Sequence, residues 1–397
     1  MKKGIKRWLA VCMVLCCAFG VWGCPAVAET GEGSALHSLR PVEGNPLNLN
    51  CKSAVLMEAS TGTVLYEHNA DEALPPASVT KVMTLLLVME AIEAGDLAWE
   101  DTVRASAHAA SMGGSQIFLK EGEEMTVSDM VKSVVIASAN DAAVALAEHV
   151  AGSEAAFVDR MNRRAAELGM KTAKFENTNG LDDTAENHVL SARDIAIMSA
   201  ALIAHPKILE YSSIWMDTIR DGAFGLTNTN RLVRFYRGCT GLKTGSTAKA
   251  GFCVSATAER DGMSLVCVIM GADTRDIRNA EAARLLDWGF ANYGVYVAEP
   301  APAADVKITG GTQPTAKTVS TAFRAVLSRA DVGAVESRVE LPESVAAPVR
   351  RGQAVGEIVY TCNGQEIGRA AVLSAEEVTA ITYGQVWLRM LARALLF

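Results

Sequence analysis

A helix without a polar side must lie inside a protein, and this chain contains one. From Ser78 to about Ala94 the apolar residues Val79, Val82, Met83, Leu85 to Met89, Ala91 and Ile92 spread over almost the whole helical circumference. Pro75-Pro76 opens the segment and Gly95 closes it. The rest of the fold has to be built around this central helix. Lys81 falls in its first turn, on the same face as Ser78 at i, i+3. Burial and the positive end of the helix both lower the pKa of a lysine placed there. That is how a lysine becomes a general base for a neighbouring serine hydroxyl. Taken alone, S-x-x-K also fits a capping serine beside a solvent-reaching lysine.

The surrounding pattern predicts an α+β fold. Ser53 to Glu58 and Thr63 to Glu67 read as a hairpin around Ala59-Ser60-Thr61-Gly62, and helical patterns dominate from Ser78 to Ala204. Strands return from Cys239 to Gly271 as an antiparallel meander, followed by a helix from Asp276 to Phe290. One strand pair near the start and three strands near the end predict a sheet that unites both ends, flanked by helices. The composition changes near 297–304, where Ala-Glu-Pro-Ala-Pro-Ala-Ala reads as a linker. Segments Ser337 to Leu341, Ala354 to Tyr360 and Ile367 to Leu373 then suggest a small all-β module ending near residue 380.

Two further segments carry chemistry. Thr126-Val127-Ser128-Asp129 starts one helix, and a second runs from about Ala142 to Val150, so Ser138 and Asn140 lie in the turn between them. At i, i+2 they can direct a hydroxyl and an amide into one cleft. A capping role for Asn140 or Asp141 fits equally well. On the first strand of the meander stands Thr240-Gly241-Leu242-Lys243-Thr244-Gly245-Ser246, whose glycines permit close approach by a ligand while Lys243 and Thr244 supply a cation and a hydroxyl. Taken alone, K-T-G reads first as the approach to a turn with a surface lysine.

S-x-x-K, S-x-N and K-T-G in that order form a recognisable set. With Gly113-Gly114-Ser115, Asn179-Gly180-Leu181 and Asn228-Thr229-Asn230 beside them, the chain resembles the low-molecular-mass penicillin-binding proteins over about residues 50–380. These are the serine D-alanyl-D-alanine carboxypeptidases of peptidase family S11. The resemblance implies a β-lactamase/transpeptidase-like domain followed by a small all-β domain. It implies Ser78 as the acylated nucleophile, Lys81 as its base, and Ser138 with Lys243 as the proton route to the leaving amine. Asn140 would hold a substrate amide, and the backbone N–H groups of Ser78 and Ser246 would form the oxyanion hole. Thr244 and Gly245 would line the substrate strand, and Arg278 would bind the terminal carboxylate, for which a planar guanidinium suits better than an ammonium. A surface ion pair of Arg278 with Asp276 or Glu281 is the competing reading. Some members carry histidine where this chain has Ser246.

The implied activity is removal of the terminal D-alanine from peptidoglycan stem peptides, with β-lactams as covalent inhibitors and no metal or organic cofactor required. A D,D-endopeptidase cutting cross-links would use the same chemistry. A β-lactamase is disfavoured, because the region Phe175-Glu176-Asn177-Thr178-Asn179-Gly180-Leu181 follows the carboxypeptidase pattern. A non-catalytic wall-binding protein would have no need of Ser78 and Lys81.

The termini point to export. Lys2, Lys3, Lys6 and Arg7 precede an apolar run from Trp8 to Trp22 and then Ala26-Val27-Ala28, the pattern of a secretory signal peptide. A lipoprotein site at Cys24 is the rival, poorly matched by Trp22-Gly23. Cleavage after residue 28 removes four basic side chains and no acidic one, taking the net charge from -8 to -12. With 6% aromatic residues, such an acidic chain gives nucleic acid little to bind. Five cysteines would remain (Cys51, Cys239, Cys253, Cys267 and Cys362), without C-x-x-C spacing, and the six histidines form no zinc motif. At the other end, Val386, Trp387, Leu388, Met390, Leu391, Leu395, Leu396 and Phe397 surround only two charges, Arg389 and Arg393. This reads as an interfacial helix, too short to span a bilayer, with a tail helix packed on the β module as the alternative. The expected location is the outer face of the cytoplasmic membrane or the cell wall compartment. The organisation expected is therefore a signal peptide at 1–28, a linker at 29–47, a catalytic domain at 48–296, a β-rich domain at 297–380 and a membrane-associating helix at 381–397.

Overall fold

The computed structural model describes residues 39–182 and 185–395. The signal peptide and the first part of the linker lie outside the described residues.

Alternation of side chains builds the body in three layers. In the strand Ser53–Glu58 all six residues are buried. Val55 and Met57 enter a core beneath the central helix, while Ala54 and Leu56 enter a second core under the helix Arg275–Asn292. The partner strand Met263–Ala272 divides in the same way, Val266, Val268 and Met270 to one side and Leu265, Cys267 and Ile269 to the other. These strands are central in a six-stranded sheet. Its order is Val42–Glu43, Thr63–His68, Ser53–Glu58, Met263–Ala272, Gly251–Arg260, Cys239–Thr247. Only the short first strand runs parallel to its neighbour. The helix Arg275–Asn292 lies so close to the sheet that a Cβ on Gly289 would come within 2.6 Å of Leu56.

The expected sheet, uniting both ends of the chain, is present. Local structure departs from the sequence reading in four places. Ser78 does not stand in the α-helix: Ala77–Thr80 form a 3-10 turn, and the α-helix proper is Lys81–Ala94, closed by Gly95 in the left-handed conformation. The second interhelical element is a π-helical turn, Ser133–Ala137, after the helix Val127–Lys132. The helix that follows starts earlier than expected and spans Asn140–Ala151. A strand pair, Thr102–Arg104 with Glu124–Thr126, interrupts the helical region, and a small hairpin, Met216–Ile219 with Phe224–Thr227, follows it.

The C-terminal module has its own core of Val306, Ile308, Val355, Ile358, Tyr360 and Val372. It is a six-stranded sheet in the order Val335–Glu340, Ala354–Cys362, Gln365–Ser374, Thr315–Ser320, Pro302–Thr309, Val345–Ala346. The segment read as a linker is largely strand. Tyr293–Ala298 pairs with Phe323–Ser328, and Pro302 begins the next strand, where a missing N–H costs nothing. The last described element, the helix Tyr383–Ala394, is started by a capping box between Thr382 and Gln385. All five cysteines among the described residues are free. The sheet register sets Cys239 opposite Ala258 and Cys253 opposite Gly245, so these two do not pair.

Candidate active site

The 3-10 turn brings Ser78 and Lys81 together more directly than an α-helix would, because side chains three apart eclipse one another in that geometry. Lys81 Nζ lies 2.9 Å from Ser78 Oγ. It is also 2.6 Å from Asn140 Oδ1 and 2.8 Å from the carbonyl of Asn179. Lys81 is fully buried, and burial, followed by the nearby cation of Lys243, pushes its pKa well below the ordinary lysine value, opposed by Asp141. A neutral amine matches these three neighbours: two N–H bonds reach the two carbonyl oxygens, and the lone pair is left for the serine hydroxyl.

Ser138 ends the π-helical turn in the left-handed conformation, φ 62. A non-glycine residue in that region is strained, which is common where a side chain must be aimed. The loop in front is fastened to the next helix from several directions. Asn140 N donates to the Ser115 carbonyl at 2.7 Å, and Asn140 Nδ2 to the Gly113 carbonyl at 2.7 Å. Asp141 does more than cap: its carboxylate accepts the N–H groups of Ile117 and Leu119 besides that of Ala142. Asn140 therefore orients Lys81 and is itself oriented.

From the edge strand, Gly245 passes directly over the turn that carries Ser78. A Cβ there would lie 2.8 Å from Ser78 N and 2.8 Å from the Pro76 carbonyl. Lys243 is buried, against the surface-lysine alternative, and donates to the Thr244 carbonyl at 3.0 Å. Burial, helped by the cation of Arg278, lowers its pKa to about 7. Thr244 Oγ1 is 2.9 Å from Thr229 Oγ1. Arg278 is buried too, its guanidinium held by Asn279 Oδ1 at 2.9 Å and 3.1 Å. Neither carboxylate of the competing reading is ion-paired with Arg278: Asp276 pairs with Arg231 at 3.9 Å, and Glu281 with Arg284 at 2.8 Å.

Ser78, Ser115, Ser138, Thr244, Gly245, Ser246 and Arg278 all line one cleft of about 550 Å³. Sequence reasoning brought most of this set together but missed part of the wall. Trp215 and Phe235, edge to face at 6.2 Å, line the same cleft with Arg231 and Arg275, and the Arg234 guanidinium sits 5.6 Å from both rings. It also missed the role of the Asn179 carbonyl, although the turn-rich Asn177-Thr178-Asn179-Gly180 signalled a loop with exposed backbone acceptors.

Residues 41–274 match the protein family described as D-alanyl-D-alanine carboxypeptidase. The chain belongs to that family. It is thus a serine-type carboxypeptidase, a hydrolase, and residues 302–380 match the family described as penicillin-binding protein 5, C-terminal domain. The chain is similar to the D-alanyl-D-alanine carboxypeptidase DacF of Bacillus subtilis, 42% identical over 334 residues, 82% of this chain and 85% of that one. Penicillin binding protein 5 from Haemophilus influenzae superposes with a TM-score of 0.72 at 30% identity, covering 84% of this chain and 98% of the other. Penicillin-Binding Protein D2 from Listeria monocytogenes, in its ampicillin-bound form, has a TM-score of 0.57 at 33% identity over 62% of this chain and 99% of its own.

Proposed function

We propose that this chain is an exported D,D-carboxypeptidase that removes the terminal D-alanine from peptidoglycan stem pentapeptides through a Ser78 acyl-enzyme, and that β-lactams acylate the same serine. The observation that carries the reading is the buried Lys81 amine 2.9 Å from Ser78 Oγ, with its other two hydrogen-bonding directions taken by Asn140 and Asn179. Lys81 takes the Oγ proton as Oγ attacks the carbonyl of the penultimate D-alanine. The oxyanion forms between the backbone N–H groups of Ser78 and Ser246. Ser138, backed by Lys243, passes a proton to the departing D-alanine amine, and water then hydrolyses the acyl ester. The second hydrogen on Asn140 Nδ2 is left for a substrate carbonyl. Arg278 and Thr244 receive the terminal carboxylate.

The Listeria protein's ampicillin-bound form supports the β-lactam part of the reading by analogy. The assignment extends to export through the leader at 1–28, to a catalytic domain at 48–296 with a β-rich domain at 297–380, and to docking of the helix 381–397 on a membrane surface. No helix among the described residues is long and apolar enough to cross a membrane.

Two measurements test the reading. Intact-mass analysis after penicillin treatment should give a single adduct on the Ser78 peptide, absent from Ser78→Ala and Lys81→Ala. Incubation with a diamino-acid pentapeptide should release free D-alanine, whereas a cross-linked dimer should stay intact. Cleavage of the dimer would favour the endopeptidase reading, and an adduct that survives Ser78→Ala would overturn the nucleophile.

A further inference from the structure

His188 takes no part in the chemistry above, yet it is buried 2.8 Å from the turn that carries the nucleophile. Its Nδ1 accepts the backbone N–H of Glu176 at 3.1 Å. A neutral ring whose Nδ1 accepts must carry its proton on Nε2. Nε2 is 2.8 Å from Thr80 Oγ1, and Thr80 Oγ1 is 2.9 Å from the carbonyl of Ala77. Each group has one role: Nε2–H donates to the Thr80 hydroxyl, and that hydroxyl donates to Ala77. We propose that His188 is a positioning residue for the nucleophile, fixing the Ala77 carbonyl through Thr80 and so holding the turn that presents Ser78 to Lys81.

Ala77 needs such support. It stands at φ 48, the left-handed region that a residue with a Cβ rarely occupies. Holding it there costs energy that the surrounding contacts must offset. The same loop that carries Glu176 grips the helix at two further points: the Asn179 carbonyl on Lys81 and the Thr178 carbonyl on Thr84 Oγ1, at 2.6 Å. The ring is rigidly seated, edge-on to Phe175 at 5.7 Å. Burial keeps it neutral, with a pKa lowered to about 4 against the opposing carboxylates of Glu176 and Asp182. The tautomer that the relay requires is therefore the one present at neutral pH.

The two ring nitrogens can be tested separately, because an asparagine amide reaches the Nδ1 position and a glutamine amide the Nε2 position. His188→Asn keeps an acceptor for Glu176 N–H but loses the donor to Thr80. His188→Gln keeps the donor. Thr80→Val deletes the middle hydroxyl, and Thr80→Ser retains it. The readouts, on the full chain, are the second-order rate of acylation by a penicillin and the melting temperature. His188→Asn and Thr80→Val should slow acylation about 5- to 100-fold, the range for one lost buried hydrogen bond. His188→Gln and Thr80→Ser should stay near the parent rate. The Asn/Val double variant should be no slower than the slower single, since both cut one chain. If Asn and Gln variants acylate at the parent rate and only melt earlier, His188 is merely structural and the proposal fails. It fails equally if all four variants slow in proportion to their melting temperatures. Should His188→Asn not fold, the Val/Ser pair decides on the same criterion. The inference rests on Ser78 as nucleophile, which the adduct on the parent protein checks independently.

Discussion

A Cβ on Gly180 would lie 1.9 Å from the carbonyl oxygen of Ala77. The loop between the helices Glu154–Glu167 and Ala192–Ile203 is thus in direct backbone contact with the residue before Ser78, and Gly180 adopts φ 81, where only glycine is at ease. Asn177 Oδ1 holds it there by accepting the Gly180 N–H at 2.7 Å.

Gly180→Ala should therefore damage the site more than an ordinary loop substitution. The left-handed backbone alone costs an alanine about 1–2 kcal/mol, and the overlap forces the Ala77 turn to shift. A lower melting temperature together with slower penicillin acylation of the folded fraction is expected. A variant that melts earlier but acylates at the parent rate would show that the turn tolerates displacement.

Lys243 gives a prediction with a sign. Its folded pKa of about 7 lies below the ordinary lysine value of 10.5 because the ammonium is buried beside Arg278. Between those two values the unfolded chain binds the extra proton, so this group's contribution to stability rises with pH from about 7 towards 10.5. At pH 6 the buried charge is carried at full cost. Lys243→Met should melt higher than the parent at pH 6, by a margin that shrinks by pH 9, while losing peptide turnover. A margin independent of pH would mean that the lysine stays charged in the fold across this range, so that burial beside Arg278 does not lower its pKa.

How much of this was legible beforehand depends on the range of each interaction. Ser78 with Lys81, and Lys243 with Gly245, were each ambiguous in isolation and became legible only as an ordered set with Ser138 and Asn140. The acceptor of Lys81 on Asn179 is a backbone carbonyl 98 residues away, which no side-chain pattern encodes. Ser138's conformation depends on a single π-helical turn, whose sequence Ser-Val-Val-Ile-Ala is also that of an ordinary helix. In the C-terminal module, Pro302–Thr309 was hidden by the prolines before it and by a register shift between Ala303 and Val306 that breaks the alternation.

Arg278→Ala tests the proposed contact with the terminal carboxylate. Losing one charge-assisted hydrogen bond costs about 1.5–3 kcal/mol, or roughly 10- to 150-fold in kcat/KM for the peptide. Acylation by a penicillin should fall less if the lactam makes fewer contacts with Arg278. Near-normal peptide turnover would return Arg278 to a structural role beside Asn279.

The C-terminal helix supplies the last prediction. Tyr383, Trp387, Leu388, Met390, Leu391 and Leu395 are all half or more exposed, so the apolar side is not packed on the β module. What fastens the helix is polar: the Arg389 guanidinium donates to the carbonyls of Gly311 and Thr312. A helix held by its arginine with leucines and a tryptophan turned outward is suited to lie in a lipid interface. Its twelve residues span only about 18 Å, too little to cross a hydrocarbon core of about 30 Å. Vesicles containing anionic lipid should sediment the full chain but not a chain ending at Thr382, and the truncated protein should keep its penicillin acylation because the cleft lies in the other domain. Substituting Trp387 and Leu391 together by serine should release the full-length protein without changing its folding. If truncated and full-length proteins stay equally in the supernatant, the exposed side has some partner other than lipid.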